Sequence, residues 1–368
     1  FFISGSRTYV TPCERLKPWD KITVARFRQE IPTGHDMFVF EDRSGPADWP
    51  AGRSVRNEDL RWLSALPDLR FVSLSNCQID DRGIAHLRGL TGLTSLYLDG
   101  TGVTDAGLEH LHNLTNMEWM RLDGTATSDA GLKHLREFTE LKHLILTDTA
   151  VTSEGLRELD RLAQLDYLNI SGTKVNDECL TTLVKYRKVT WLFLDETEVS
   201  DEAIAELNSL PKLHWLKIGG TRLTDDGLTH FRDYPALSML SLENTAVGDE
   251  GLAHLKSAKQ ISMLNLSGTN VTDEGMKHIA EMEKLQHLYL NRTAITDAGL
   301  ERLSASVNLC EITVSDTSIS DVGLNHILKL PNLINVRIDR TNVSAAGQAE
   351  LREALLPDFM KSSDTNKK

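Results

Sequence analysis

The sequence predicts an α/β solenoid, a right-handed arc with a parallel sheet of about twelve short strands on its concave face and short helices on its convex face. A strict 24-residue repeat gives the number of units, and two spacings of apolar residues within each unit give a strand followed by a helix. The composition, 40% hydrophobic and 25% charged, is that of a globular chain. No run of 18 apolar residues occurs, so the sequence contains no complete membrane-spanning helix.

The repeat is visible at a single position. Thr101 recurs every 24 residues up to Thr341, and Cys77 stands one period earlier. No insertion or deletion interrupts the twelve copies, so chance cannot explain the pattern. The residues that define one copy are Leu93, Leu96, Leu98, Thr101, Val103, Thr104, Asp105, Gly107, Leu108, Leu111 and Leu114.

Each unit combines a strand with a helical turn. Leu96 and Leu98 are two residues apart and share one face of a strand. Leu108 and Leu111 are three apart, as on one face of a helix, and Thr104 suits the N-cap before it. Because one unit cannot bury its own leucines, we expect the units to stack.

The repeats divide the chain into three parts. Residues 1–58 lack the pattern and are predicted to cap the N-terminal end, with a strand at Met37–Phe40 and a strand or short helix at Trp19–Phe27. Residues 59–344 hold the twelve repeats, with strands expected from Leu69–Leu74 to Leu333–Ile338. Residues 345–368 are predicted to form a capping helix and a disordered tail.

An aspartate column makes the chain acidic. Asp occupies the Asp105 position in ten of the twelve repeats, with Ser153 and Ala345 as exceptions, and the formal net charge is −13. We interpret the column as stabilising helix starts, with a row of calcium sites as the alternative. One carboxylate per repeat offers thin coordination for calcium. The net charge also argues against nucleic acid as a partner.

The repeat resembles the leucine-rich-repeat superfamily over about 285 of the 368 residues. Its T-x-V-T-D-x-G-L variant looks like repeats common in bacterial leucine-rich-repeat domain proteins. It also resembles the cysteine-containing repeats of eukaryotic F-box adaptors, but Cys77 alone has that residue, and the 24-residue period favours the bacterial type. The resemblance implies an arc used for protein recognition and implies no particular activity.

The sequence offers no catalytic motif. It contains no phosphate-binding loop, dinucleotide fingerprint, H-E-x-x-H or G-x-S-x-G, so we predict no enzyme, no cofactor and no catalytic residue. Seven of the twelve histidines share one register of the helical segment and therefore follow from the repeat, and we predict no metal site. The cysteines form no C-x-x-C pair, although a Cys13–Cys77 bridge within the cap is geometrically conceivable.

The concave face carries the candidate binding residues. Three columns of side chains are expected to point away from the leucine core, and three of the six tryptophans fall in one of them. Large aromatic and methionine side chains on an exposed sheet face are typical of an interface. The predicted partner-binding residues are Trp119, Arg121, His143, Tyr167, Trp191, Phe193, Asp195, His214, Trp215, Lys217 and Met239.

The character of this face favours a protein or peptide partner. Acids lie beside the aromatic columns, with Arg121 and Lys217 as isolated cations. We therefore expect a partner of apolar and basic character. We also expect the protein to be a monomer. His214 is placed at the rim, where it would make binding pH-sensitive. Aromatic rings beside Asp and Asn also suit a carbohydrate or another small ligand, which is the alternative function. Stacking of the rings on one another, a homodimer face and a structural spacer are further alternatives.

The first residues bear on localisation. The segment Phe1–Ile3 is apolar, which is unusual for an exposed terminus. If it is the remnant of a removed hydrophobic segment, we expect an extracytoplasmic or membrane-tethered protein, and otherwise a cytoplasmic one.

Overall fold

The computed structural model describes residues 36–39, 55–66 and 68–355, which fall into two compact units, Phe1–Lys174 and Val175–Lys368. We call them unit 1 and unit 2. The predictions for Phe1–Ile3, Cys13, Trp19–Phe27 and the tail beyond residue 355 lie outside the described residues.

Unit 1 contains a parallel sheet whose strands follow one another in chain order. Neighbouring repeat strands pair with a register of 24 residues, so that Ser95 lies opposite Trp119. The strand predicted around Met37–Phe40 is present as β1 and pairs in parallel with the first repeat strand. The strands are β1 Asp36–Val39, β2 Leu69–Ser73, β3 Ser95–Tyr97, β4 Trp119–Arg121, β5 His143–Ile145 and β6 Tyr167–Asn169.

Unit 2 repeats this arrangement with seven parallel strands. The 24-residue register is again kept, with Trp191 opposite Trp215 and Trp215 opposite Met239. Together with β2–β6, these strands give the twelve repeat strands that the sequence predicts. They are β7 Trp191–Phe193, β8 Trp215–Lys217, β9 Met239–Ser241, β10 Met263–Asn265, β11 His287–Tyr289, β12 Glu311–Thr313 and β13 Asn335–Arg337.

Short helices connect the strands, and most repeats have only one or two turns of α-helix. Unit 1 has α1 Asp81–Ile84, α2 Asp105–Glu109, α3 Asp129–Leu132 and α4 Ser153–Leu156. Its 3₁₀ segments are Asn57–Ala65, Ala85–Leu87, Lys133–Leu135 and Arg157–Leu159.

In unit 2 the helices are more varied in length. The α-helices are α5 Leu180–Leu183, α6 Asp201–Leu207, α7 Asp249–Leu255, α8 Met276–Ile279, α9 Asp297–Arg302, α10 Asp321–Ile327 and α11 Ala345–Ala354. The 3₁₀ segments are Asp177–Cys179, Asp226–Asp233 and Leu303–Ala305. No described helix is both long and apolar enough to cross a membrane.

The repeat leucines form the core. Leu96, Leu98 and Leu108 are completely buried. Most residues at the same positions of the other repeats are buried as well, although Leu180 and Ile338 are half-buried and Gln348 is exposed. The Thr101 hydroxyl is also buried and donates to the Leu98 carbonyl oxygen at 2.6 Å, which closes the turn after the strand within its own repeat. Cys77 occupies the equivalent position, and its thiol is buried.

The aspartates of the column link most repeats to the repeat that follows. Oδ1 of Asp249 accepts the backbone N–H of Thr272 at 2.9 Å, and Oδ2 accepts the Thr272 hydroxyl at 2.6 Å. Thr272 belongs to the following repeat, so the role predicted for the column, stabilising helix starts, describes only part of it. The same two bonds to the next Thr or Ser are made by Asp81, Asp105, Asp129, Asp177, Asp201, Asp273, Asp297 and Asp321.

These carboxylates also explain the repeat glycine. A Cβ on Gly299 would collide with Oδ1 of Asp273, and the same collision with the preceding repeat's aspartate recurs along the array. The calcium alternative loses support, because both oxygens of each such carboxylate already accept hydrogen bonds. Within the described residues, no three His, Cys, Asp or Glu side chains are grouped as metal ligands would be.

Candidate functional site

The strands position the candidate residues by alternation. In each three-residue repeat strand the middle residue is buried, while the first and third point to the opposite face of the sheet. Within unit 1 this face holds Trp119, Arg121, His143 and Tyr167. Within unit 2 it holds the remaining strand residues of the prediction, so the candidate residues form two groups that we describe separately.

In unit 1, three rings from consecutive strands lie in a row. The Trp119 and His143 rings are stacked, with centroids 3.4 Å apart and planes 10° from parallel. The Tyr167 ring lies beyond His143 at 6.1 Å. We call these three residues the unit 1 row. It confirms that the predicted column of rings exists there, while its binding role stays a prediction.

The surroundings of His143 favour the neutral form of its ring. Its Nδ1 atom is buried and has no hydrogen-bond partner among the described residues. Burial lowers the pKa of the imidazole because the charged form loses water, and the nearby Lys142 lowers it further, against the opposing carboxylates of Asp166 and Glu118. A neutral ring can stack closely on the indole of Trp119.

Arg121 is not the isolated cation that the sequence suggests. Its guanidinium lies 2.9 Å from Asp123 and 3.6 Å from Asp99, and it covers the Tyr97 ring at 5.5 Å from the centroid. Asp99 also accepts the Ser75 hydroxyl at 2.7 Å. Strand alternation places residues 121 and 123 on the same side, so the acid column compensates the cation.

In unit 2, three rings form a compact group that we call the aromatic cluster: Trp191, Phe193 and Trp215. The indole of Trp215 meets Trp191 edge-on, with centroids 5.2 Å apart and planes at 70°. It meets Phe193 in the same way, at 4.9 Å and 73°. Both tryptophans are half-buried, whereas Phe193 is only 8% exposed and therefore forms the floor of the cluster.

A second ion pair borders the aromatic cluster and corrects the prediction for Lys217. The Lys217 ammonium lies 3.1 Å from Asp195 and 5.3 Å from the centroid of the Phe193 ring. Asp195 is fixed further by the Gly219 backbone N–H, which donates to it at 2.8 Å. The border is thus close to electrically neutral.

Of the two remaining predicted residues, Met239 lies beside the aromatic cluster and His214 does not. Met239 is half-buried on β9 and sits opposite Trp215 in the ladder, so it continues the apolar surface. His214 is exposed, and its ring lies 3.1 Å from the Ser238 hydroxyl and 3.3 Å from the Ala236 carbonyl oxygen. Alternation along the strand sets His214 apart from the Trp215 ring.

A polar constellation on the last three strands of unit 2 was absent from the predicted site. Oε2 of Glu311 lies 3.1 Å from Nδ1 of His287 and accepts the Tyr289 hydroxyl at 3.1 Å. Oε1 accepts the Asn335 side-chain amide at 2.7 Å. We call these four residues the Glu311 network. Its members stand in the same sequence columns as the aromatic residues, which is the signal that could have identified it.

Comparisons with known proteins agree with this fold. The profile of the Leucine Rich repeat family matches residues 65–87, 263–280 and 281–304. Similar solved structures include an internalin (inlF) from Listeria monocytogenes, with 24% identity, a TM-score of 0.59 and coverage of 78% of this chain and 80% of that one. A leucine-rich-repeat protein from Leptospira interrogans has 16% identity, a TM-score of 0.56 and coverage of 80% and 78%. The search of curated proteins gave no match.

The repeat, the parallel ladders and these matches show that the chain has the leucine-rich-repeat fold. The resemblance seen in the sequence is therefore confirmed for the fold. At these identities the similarity extends to the fold alone, and the function has to be argued from the side chains on the sheet.

Proposed function

We propose that this chain is a non-enzymatic protein-interaction module whose aromatic cluster binds a protein or peptide segment. The observation that carries the proposal is Trp215, a half-buried indole whose Nε1 atom is itself buried and has no hydrogen-bond partner among the described residues. A buried indole N–H ordinarily finds an acceptor. A partner's carbonyl oxygen at the cluster would provide one, once the side chains above it adjust.

The core does not require these rings. Leu192 and Leu216, the middle residues of β7 and β8, are buried at 1% and 0% exposure and fill the core register. Trp191 and Trp215 stand on the opposite face and keep part of their surface exposed. Tryptophans in such a position are enriched among the residues that dominate binding energy.

The charges beside the aromatic cluster indicate which kind of partner side chain would bind there. Because Lys217 already pairs with Asp195, the border of the aromatic cluster offers no unbalanced charge to a ligand. The cluster therefore favours an apolar or aromatic side chain as its direct occupant, with a main-chain acceptor beside it. We propose the unit 1 row as a further contact surface, since it presents a similar set of rings.

Selection from a displayed library of random 16-residue peptides tests the proposal. Peptides selected on the wild-type chain should share an aromatic or large aliphatic residue. Their affinity should fall about 30-fold or more for the Trp191→Ala/Trp215→Ala double variant, corresponding to about 2 kcal/mol. Val322→Ala is the matched control, because it removes an apolar side chain that is 59% exposed on α10, away from the sheet face.

Two results would contradict the proposal. One is that the selected peptides bind the folded double variant as tightly as the wild type. The other is that no peptide is selected while purified oligosaccharides bind in a manner that requires Trp191 and Trp215. The second result would establish the carbohydrate alternative in place of protein binding.

A further inference from the structure

We propose that the Glu311 network is a second subsite on the face of unit 2, and that it takes a lysine or arginine side chain of the segment held by the aromatic cluster. The inference rests on the proposed function and adds to it a chemical requirement on the partner. It assigns a role to residues that the aromatic cluster leaves unexplained.

The carboxylate of Glu311 is oriented but its charge is not balanced by a strong cation. Its oxygens are contacted by His287, by the Tyr289 hydroxyl and by the Asn335 amide. Among the described residues, no lysine or arginine forms an ion pair with it. Two other acids of unit 2 do have a strong cation as partner: Asp195 lies 3.1 Å from Lys217, and Glu243 lies 3.0 Å from Arg292.

The surroundings of the carboxylate suit an organic cation. The side chain of Glu311 is 18% exposed and that of His287 is 39% exposed, so the group is sheltered yet can be reached. The Tyr289 ring, whose hydroxyl contacts the same carboxylate, supplies an aromatic surface for an ammonium or guanidinium group. Burial, with the neighbouring Glu311 charge, raises the pKa of Tyr289 to about 12, so the phenol stays neutral and keeps its proton.

An unpaired hydroxyl supports the presence of a ligand here. Thr313 is only 3% exposed, and its Oγ1 atom has no hydrogen-bond partner among the described residues. It lies on β12, two residues after Glu311 and therefore on the same side of the sheet. Beside it in the ladder stands Arg337, an exposed residue that forms no ion pair with Glu311 and would compete with an incoming cation.

The distance between the two subsites sets the spacing in the partner. From β8 to β12 the sheet advances by four strands, or about 19 Å at the usual strand separation. An extended peptide covers that distance with about six residues. The partner segment should therefore carry an apolar or aromatic residue and, about six residues away, a lysine or arginine.

The test compares peptide selections on the wild-type chain and on Glu311→Gln, which keeps the shape of the side chain and removes its charge. Glu301→Gln is the matched control, because Glu301 is an exposed glutamate on α9. Wild type and control should both enrich lysine or arginine about six residues from the apolar anchor. Glu311→Gln should keep the anchor and lose the basic residue.

Affinities of one selected peptide complete the test. The wild-type chain should bind it at least about 10-fold more tightly than Glu311→Gln, and replacing its basic residue by Gln should abolish that difference. Arg337→Gln, which removes the competing cation, should strengthen binding. The subsite assignment is wrong if Glu311→Gln selects the same basic residue. It is also wrong if the effects of Glu311→Gln and of replacing the peptide's basic residue are additive.

The two proposals fail in different ways. If the Trp191→Ala/Trp215→Ala variant loses the peptide while Glu311→Gln binds it as the wild type does, the protein-binding function stands and the Glu311 subsite does not. If peptides bind without regard to the two tryptophans, the proposed function itself is wrong.

Discussion

His143 shows how one residue couples the sheet face to pH. Burial lowers the pKa of its imidazole, so protonation favours the unfolded chain, where the pKa is near its usual value of 6.5. The neutral ring's contribution to stability is therefore fully present above that value. It is lost progressively as the pH falls from there through the lower pKa of the folded state.

We predict that His143→Phe weakens this acid sensitivity. Phenylalanine preserves an aromatic ring against Trp119 and cannot be protonated, so the variant should lose less stability than the wild type between pH 7 and pH 5. Urea unfolding of the two proteins at several pH values measures the difference. Identical pH profiles would show that His143 is not held neutral by the stack.

Trp215 contributes to stability as well as to the proposed binding surface. The sequence alone suggests that its removal costs little, because the leucine core remains. The contacts of the ring argue for a larger cost, since the indole meets both Trp191 and Phe193 edge-on. At about 0.5–1.5 kcal/mol for each aromatic pair, we predict that Trp215→Ala lowers the free energy of unfolding by about 1–3 kcal/mol. Urea denaturation measures this, and a loss below 0.5 kcal/mol, a limit set by the same range, would contradict the packing described.

At the scale of an element, the aspartate of one repeat and the glycine of the next depend on each other. Asp273 accepts the backbone N–H and the hydroxyl of Thr296 in the next repeat, both at 2.7 Å. Its Oδ1 occupies the space that a Cβ on Gly299 would need. The aspartate therefore sets both the start of the next helix and the residue that this helix can carry.

A double-mutant cycle tests this coupling. We predict that Asp273→Ala costs about 1–3 kcal/mol, because it leaves the N–H and hydroxyl of Thr296 without their acceptor. Gly299→Ala should also destabilise the fold, by collision with Asp273. The double variant should be more stable than the sum of the two losses implies, since the collision is then removed. Glu250→Ala, at an exposed glutamate, is the control. Strictly additive losses of stability would contradict the coupling between Asp273 and Gly299.

Whole-molecule behaviour should follow from the contacts between neighbouring repeats. Leu216 is completely buried on β8, and Leu216→Ala should cost about 2–5 kcal/mol. Because a repeat array is stabilised mainly through nearest neighbours, we predict a less cooperative unfolding transition in this variant. Hydrogen exchange should accelerate most in the strands next to β8. A single sharp transition with an unchanged denaturant dependence would count against local fraying.

The strict period made much of the molecule predictable. Once residues 24 apart are known to lie side by side, the neighbours Trp119 and His143, or Trp191 and Trp215, follow directly from the columns. The lengths of the helices did not follow, since α1 has 4 residues and α10 has 7 although both belong to the same repeat pattern.

Contacts that depend on side-chain conformation were less accessible from the sequence. The columns placed Arg121 beside Asp99 and Asp123, yet the ion pairs became clear only in the structure. The bridge from each aspartate to the next repeat was likewise missed, because a helix-start role for an acid does not reveal that both oxygens reach a neighbouring unit. The Glu311 network belongs to the same kind of contact, because three sequence columns of mixed polar residues do not reveal which side chains reach the carboxylate.

The proposed function depends most directly on whether a bound partner contacts the aromatic cluster. This contact is measured by an NMR titration of the ¹⁵N-labelled chain with a peptide selected on the wild type, following the indole N–H signals of the tryptophans. We predict that the signals of Trp191 and Trp215 shift most, and that the Trp215 signal moves as its N–H gains an acceptor. Saturating binding that leaves both signals in place, with changes confined to the helices, would contradict binding at the aromatic cluster.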